Sequence, residues 1–292
     1  MAERIGACIA LRQEEDMPDK SCVLVRGVNE LASAVARTLL LSGHAVALHQ
    51  PAPAPVLRRK MAFADAWWDG VATLGGVEAR RATCDADLLA GLSGGMFVPL
   101  LTHPHLAAIG RWPWDVVVDA RCEGGGGAEG CDVELSIVLG PGAAAGVDCD
   151  LVIEIGGADP GAVLRAGTAQ GGPRAFGRYE QAVRAPVGGV FRSERSIGER
   201  VQAGEMIGLV GTALVVAPCD GRLRGLLRSP WEPRAGEMLA EVAPSRAAQV
   251  SGIERVDQII ARAVDFAIEL EQAGAPAAAW GADRAPGGRS PG

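Results

Sequence analysis

Lysine is almost missing from this chain: of 292 residues only Lys20 and Lys60 carry an ε-amine. No basic run exists, and the 28 Lys and Arg residues are outnumbered by 35 Asp and Glu, for a net charge of −7. That balance excludes nucleic acid as the main partner. No apolar run approaches the ~20 residues of a membrane span. The opening MAERIGACIALRQEEDMPDK has acids where a secretion signal needs its apolar stretch, so a cytoplasmic protein without membrane contact is expected. Cys8, Cys22, Cys84, Cys122, Cys131, Cys149 and Cys219 are odd in number, widely spaced and form no C-x-x-C. They read as reduced, mostly buried thiols with no metal site among them. His103-Pro104-His105 has no third ligand nearby and reads as loop. P-loop, G-x-S-x-G elbow, Ser-His-Asp order and paired carboxylates are all absent. No catalytic residue is nominated, and whether the chain catalyses a reaction stays open.

What is present begins as a βαβ unit. Cys22-Val23-Leu24-Val25-Arg26 is an apolar run with β-branched residues, as in a strand buried on both faces. Leu31, Val35, Leu39 and Leu40 then fall at helical spacing, Ser42-Gly43 stops the helix, and Ala45 to Leu48 form the next strand. Such a unit opens a Rossmann-like parallel sheet. After a Pro loop at 51–55, Arg58 to Trp68 is predicted helical, with Arg58, Arg59 and Lys60 on an exposed face or reaching a phosphate from the sheet edge. Further strands are expected at Met96–Leu101, Asp115–Asp119, Val133–Leu139 and Leu151–Ile155, with Asp119 at a strand end as a site or capping carboxylate. Trp67 and Trp68 read as packing residues.

Two loops could hold a phosphate. Gly27-Val28-Asn29-Glu30 stands where a dinucleotide fingerprint would place backbone amides at a helix N-terminus. Asn29 replaces the glycine that lets a pyrophosphate approach, and the second strand ends in Gln50 where a ribose-binding acid belongs. Gly140-Pro141-Gly142, continuing through Gly146 to Asp148, follows another buried strand. Its glycines either free amides to converge on an anion or simply turn the chain. The candidate ligand-binding residues are therefore Gly27, Asn29, Glu30, Gly140, Gly142, Gly146 and Asp148.

Downstream, the chain repeats itself. Arg184–Gly211 and Val216–Ala243 align without a gap at an offset of 32 residues. Ala185, Pro186, Gly189, Arg192, Ala203, Gly204, Glu205, Met206 and Val210 meet the same residue types in the second copy. Two such units resemble a biotinyl/lipoyl barrel-sandwich hybrid domain. The joint Gly211–Val216 has no Lys, so no biotin or lipoate is attached there. The expected organisation is an α/β chain: a Rossmann-like domain at 21–180, the barrel at 181–246, a C-terminal helix at 251–273 and a disordered Ala/Gly/Pro-rich tail at 275–292. A capping box from Ser251 to Glu254 would start that helix.

In this order, VLVRGVNELASAVARTLLLSGHAVAL, RRKMAFADAWWDG, DVVVDAR, IVLGPGAAAGVD and the Lys-free repeat resemble the YqeB-type accessory proteins of the selenium-dependent molybdenum hydroxylase system. The resemblance covers Cys22 to about Leu270. It implies a maturation role, with a molybdopterin-type cofactor as ligand and a molybdenum hydroxylase as partner. The family's first loop runs G-x-G-D-L-A, where this chain has Asn29 and Glu30. Its E-T-x-R-G-H becomes Glu154-Ile155-Gly156-Gly157-Ala158-Asp159. A nucleotide- or NAD-dependent enzyme and a purely structural interaction protein are the other readings, and a homo-oligomer is open.

Overall fold

The computed structural model describes residues 20–102, 112–122, 132–170, 181–245 and 247–274. His103, His105, the glycine loop 123–130 and the expected tail lie outside them. The opening unit forms as its pattern requires: β1 (Cys22–Arg26), α1 (Glu30–Leu41) and β2 (Ala45–His49). Leu31, Ala32, Val35 and Leu39 turn one stripe of α1 onto the sheet. Asn29 caps its start, and Gly43 takes a positive φ of 91° just past its end.

The helix expected over Arg58–Trp68 does not form. A 3₁₀ turn, Arg59–Met61, and a single turn α2 (Ala66–Asp69) stand there instead. Met61, Ala62, Phe63 and Ala64 are all buried in succession, which one face of a helix cannot do. β3 (Val71–Leu74) and β4 (Val77–Ala82) follow as a hairpin, then α3 (Asp85–Gly94) and β5 (Phe97–Leu101). β6 (Val116–Asp119), β7 (Leu135–Leu139), the short β8 (Ala144–Ala145), β9 (Leu151–Ile153), β10 (Val163–Leu164) and β11 (Gly167–Thr168) complete this part.

Nine strands make one sheet in the order β10-β9-β7-β6-β1-β2-β5-β4-β3. Every pairing is parallel except β3 with β4 and β10 with β9 at the two ends. β8 and β11 form a separate ribbon. The strand order reverses at β1, which has β2 on one side and β6 on the other.

The repeat becomes two small antiparallel sheets. β12 (Gln181–Arg184), β13 (Phe191–Arg192), β14 (Arg200–Val201), β15 (Met206–Val210), β16 (Ala213–Val216), β17 (Gly221–Leu226) and β18 (Met238–Ala243) arrange as β12-β18-β17-β14 and β13-β15-β16. The sequence repeat is also a repeat of hydrogen bonds. Gly204 N donates to Ala217 O at 2.9 Å and Gly236 N to Ala185 O at 2.8 Å, the same bond moved on by one copy. Ala217 N to Glu205 O (2.9 Å) and Ala185 N to Glu237 O (2.8 Å) match likewise. The first strand of each copy pairs with the last strand of a copy: β12 with β18 and β16 with β15.

α4 (Arg255–Gln272) then returns to the large sheet and packs along α1, burying Ile260, Ala261, Val264, Ala267 and Ile268. Both helices point the same way. Ser42, past the end of α1, donates to Asp265 Oδ2 at 2.6 Å, while Glu30 at its start feels the charges of Glu254 and Asp257. The expected capping box is not made. Glu254 occupies the cap position with no cap hydrogen bond, because Arg58 and Arg224 hold its carboxylate. The thiols are more open than expected: among the five described, Cys149 is buried and Cys84 exposed.

Candidate functional site: the carboxyl edge of the sheet

β1, β6, β7 and β9 are parallel neighbours, so the loops leaving them share one edge of the sheet. A topological switch point such as β1/β6 leaves a crevice at that edge. Gly27 sits there with φ 111°, and a Cβ on it would stand 3.4 Å from Ala120 C, Ala120 O and Arg121 N. A side chain here would be strained and would crowd the end of β6. Asn29 bridges the crevice: Oδ1 accepts from Ala32 N and Nδ2 donates to Ala120 O, both at 2.8 Å. The residue that replaces the fingerprint glycine is thus both helix cap and strap. Ser33 and Phe63 brace the same turn through Ser33 Oγ.

Two guanidinium groups meet one carboxylate across the crevice. Arg26, 2% exposed at the end of β1, lies 3.6 Å from Asp119 at the end of β6. Arg121 grips the same Asp119 through Nε and Nη2 at 3.0 and 2.5 Å and stays one-third exposed. Asp119 thus holds two guanidinium groups at the mouth, close to the start of α1. The sequence held a signal for this: adjacent buried strands end in opposite charges, Arg26 and Asp119. Arg121 had none, because nothing in a loop sequence says which way its side chain returns.

The second loop is two strand spacings along, roughly 10 Å. Gly140 has φ 87°, and a Cβ there would lie 2.6 Å from Ile155 Cδ1, so the chain just past β9 closes over it. Gly142 and Gly146 also have positive φ. Ala144 N donates to Asp148 Oδ2 (2.8 Å), Gly146 N to Cys149 O (2.7 Å), and Val147 N and Asp148 N to Ala144 O (3.2 and 2.9 Å). These four amides are engaged inside the loop. Glu154 is buried beyond it and receives Gln170 N at 2.7 Å.

Glu30 belongs to a different neighbourhood. Arg58, expected on an exposed face or reaching a phosphate, is 4% exposed and donates two hydrogen bonds to Glu241 on β18 (2.7 and 2.8 Å), plus one to Glu254 (2.8 Å). Burial works against its charge, but Glu241, Glu254 and Glu30 outweigh that and raise its pKa above the ordinary arginine value. Arg59 and Lys60 also face the repeat, donating to Leu226 O (3.0 Å) and Ile197 O (2.6 Å). The basic cluster is therefore a joint between the large sheet and the two small sheets. Trp68, at 39% exposure, adds an edge contact to Trp231 of the repeat.

The chain is 32% identical over 229 residues to a protein of Escherichia coli (strain K12) named "Uncharacterized protein YqeB". It is a YqeB-type chain. The match covers 76% of this chain but 42% of that relative, so the chain spans less than half its relative's length. No family model and no solved structure matches. Among the described residues of this YqeB-type chain, no helix is long and apolar enough to cross a membrane.

Asn29 gives a direct test of the strap. Asn29→Ala loses both the cap and the bridge and is expected to cost about 2 kcal/mol. Asn29→Gly keeps a tolerable cap and is expected to cost about 1 kcal/mol. Urea unfolding curves measure both, and equal losses would show that the cap contributes nothing.

Proposed function

We propose that this YqeB-type chain is an accessory protein in the maturation of a molybdenum hydroxylase of the selenium-dependent class, and that its sheet edge binds a phosphate-bearing pterin cofactor. The reading takes the sheet as Rossmann-like, since β5-β2-β1-β6-β7-β9 follows the 3-2-1-4-5-6 order of dinucleotide-binding sheets. It takes the repeat as a barrel-sandwich module that docks and carries nothing covalently. One observation carries the ligand class: Arg26 and Arg121 converge on Asp119 at the switch point, beside the start of α1. A guanidinium that is part-exposed and pre-oriented by a carboxylate is suited to a phosphate. The cofactor's pterin would lie toward the Gly140 loop, and the partner enzyme would receive it from this edge. A dinucleotide-dependent enzyme fits less well, because Asn29 spans the space that a pyrophosphate would take.

Isothermal titration with molybdopterin cofactor, NADP and ATP tests this. Cofactor binding is expected to weaken about tenfold or more in Arg121→Ala, a loss of one charge-assisted contact. Undetectable cofactor binding, or binding that ignores Arg121, would overturn the ligand. Tight NADP or ATP binding alone would favour the enzyme reading.

A further inference from the structure

The end of the sheet opposite the crevice holds a buried histidine that the ligand reading does not use. His44, between α1 and β2, is 2% exposed, and Ser21, just before β1, is 1% exposed. Ser21 N donates to His44 Nδ1 at 3.2 Å, and Ala45 N donates to Ser21 O at 3.0 Å, so the ring steers the entry of the chain into β1. The other ring nitrogen, Nε2, stands 3.3 Å from Asp265 Oδ1 of α4. Both of these atoms are buried, and neither has a well-aligned hydrogen-bond partner among the described residues. Asp265 Oδ2 receives the Ser42 hydroxyl at 2.6 Å. Lys20 Nζ donates to Ser42 O, and Gln272 Nε2, at the end of α4, donates to Ser21 Oγ.

These contacts place the ring's proton. Nδ1 accepts from an amide, so its lone pair is in use and the proton sits on Nε2, toward Asp265. A second proton has only Nδ1 to go to, where it meets the Ser21 N–H: two donors then face each other at 3.2 Å. The same proton turns the Asp265 contact into a charge-assisted pair. Burial works against the charge of Asp265, but the facing His44, the Ser42 hydroxyl and the charge of Lys20 outweigh that and hold its pKa below the ordinary carboxylate value. Lys20, at the entry to β1, opposes a second positive charge here.

We propose that His44 is an acid-sensitive latch serving either of two elements: neutral, it holds the Ser21 amide at the entry to β1; protonated, it releases that amide and closes on Asp265 of α4. Acid thus loosens the start of β1 while tying α4 more firmly to the turn between α1 and β2. The exchange takes place at the amino ends of β1 and β2 and does not depend on which ligand the opposite edge takes.

Long-range proton–nitrogen NMR of the full chain reads the ring, and hydrogen–deuterium exchange corrected for intrinsic rates reads the backbone. The Nε2–H tautomer is expected at about pH 7.5, above the usual range of imidazole titration. From there to about pH 5, Ser21 protection should fall about tenfold, the worth of one buried hydrogen bond, while α4 amides around Asp265 hold or gain protection. General acid loosening would lower both, so a joint fall overturns the proposal. So do an Nδ1–H tautomer at neutral pH, a ring that takes no second proton over that range, and Ser21 protection that ignores ring protonation. In His44→Gln the response should vanish, because an amide side chain faces both partners without titrating. Asp265→Asn supplies a second check should His44→Gln not fold. Without the carboxylate the Ser21 response should shift to lower pH, and an unmoved response sinks the pairing.

Discussion

Arg58→Met is expected to destabilise the folded chain by about 3–5 kcal/mol, the cost of leaving a buried ion-pair partner without its counter-charge. Glu241 is wholly buried and takes both of its strong bonds from Arg58; Arg224 lies farther off, at 3.7 Å. Methionine fills much of the arginine stem's volume, so the loss reads charge and not a cavity. Coupling the change with Glu241→Leu should restore most of the stability, because an apolar pair of similar size replaces a buried ion pair at little net cost. Guanidinium unfolding followed by circular dichroism measures both chains. A single-mutant loss below about 1 kcal/mol would mean that the pair is solvated and weak.

The second large effect lies in the repeat. Phe191→Ala should cost about 3–5 kcal/mol. Phe191 has no exposed surface and anchors the meeting of the two copies: its N donates to Trp231 O at 2.7 Å and its O receives Trp231 N at 3.3 Å. The equivalent place in the second copy is Leu223, also fully buried: its N donates to Glu199 O at 2.9 Å, the counterpart of the Trp231 bond, and its O receives Gly198 N at 2.7 Å. Leu223→Ala should therefore also cost several kcal/mol, about 2–5, with less surface lost than at Phe191. A Phe191→Ala chain with an unchanged unfolding midpoint would show that the repeat does not share one core.

How much of this was legible in the sequence depended on whether the signal was local. β1, α1 and β2 were readable because apolar spacing fixes them within a few residues, and β1 runs over the predicted Cys22–Arg26. The β3–β4 hairpin is equally local: Gly75-Gly76, both at positive φ, is a two-residue turn between strands. The course of Arg58–Trp68 was not local. Its chain is shaped by Glu241 and Leu226, more than 160 residues away in sequence, so no window around Arg58 contains the reason. The glycines and Asn29 of the candidate site could be named from their motif. Arg121, the second guanidinium on Asp119, became visible only once β6 was placed beside β1.

The course of α4 has a mechanical consequence. A carrier domain works by swinging on one flexible leash between stations. Here the chain leaves the large sheet, builds the two small sheets, and comes back to lie along α1, while Arg58 and Leu57 clasp them from the side. A module sewn in at both ends and gripped in the middle has little reach. Its surface stays where the large sheet holds it.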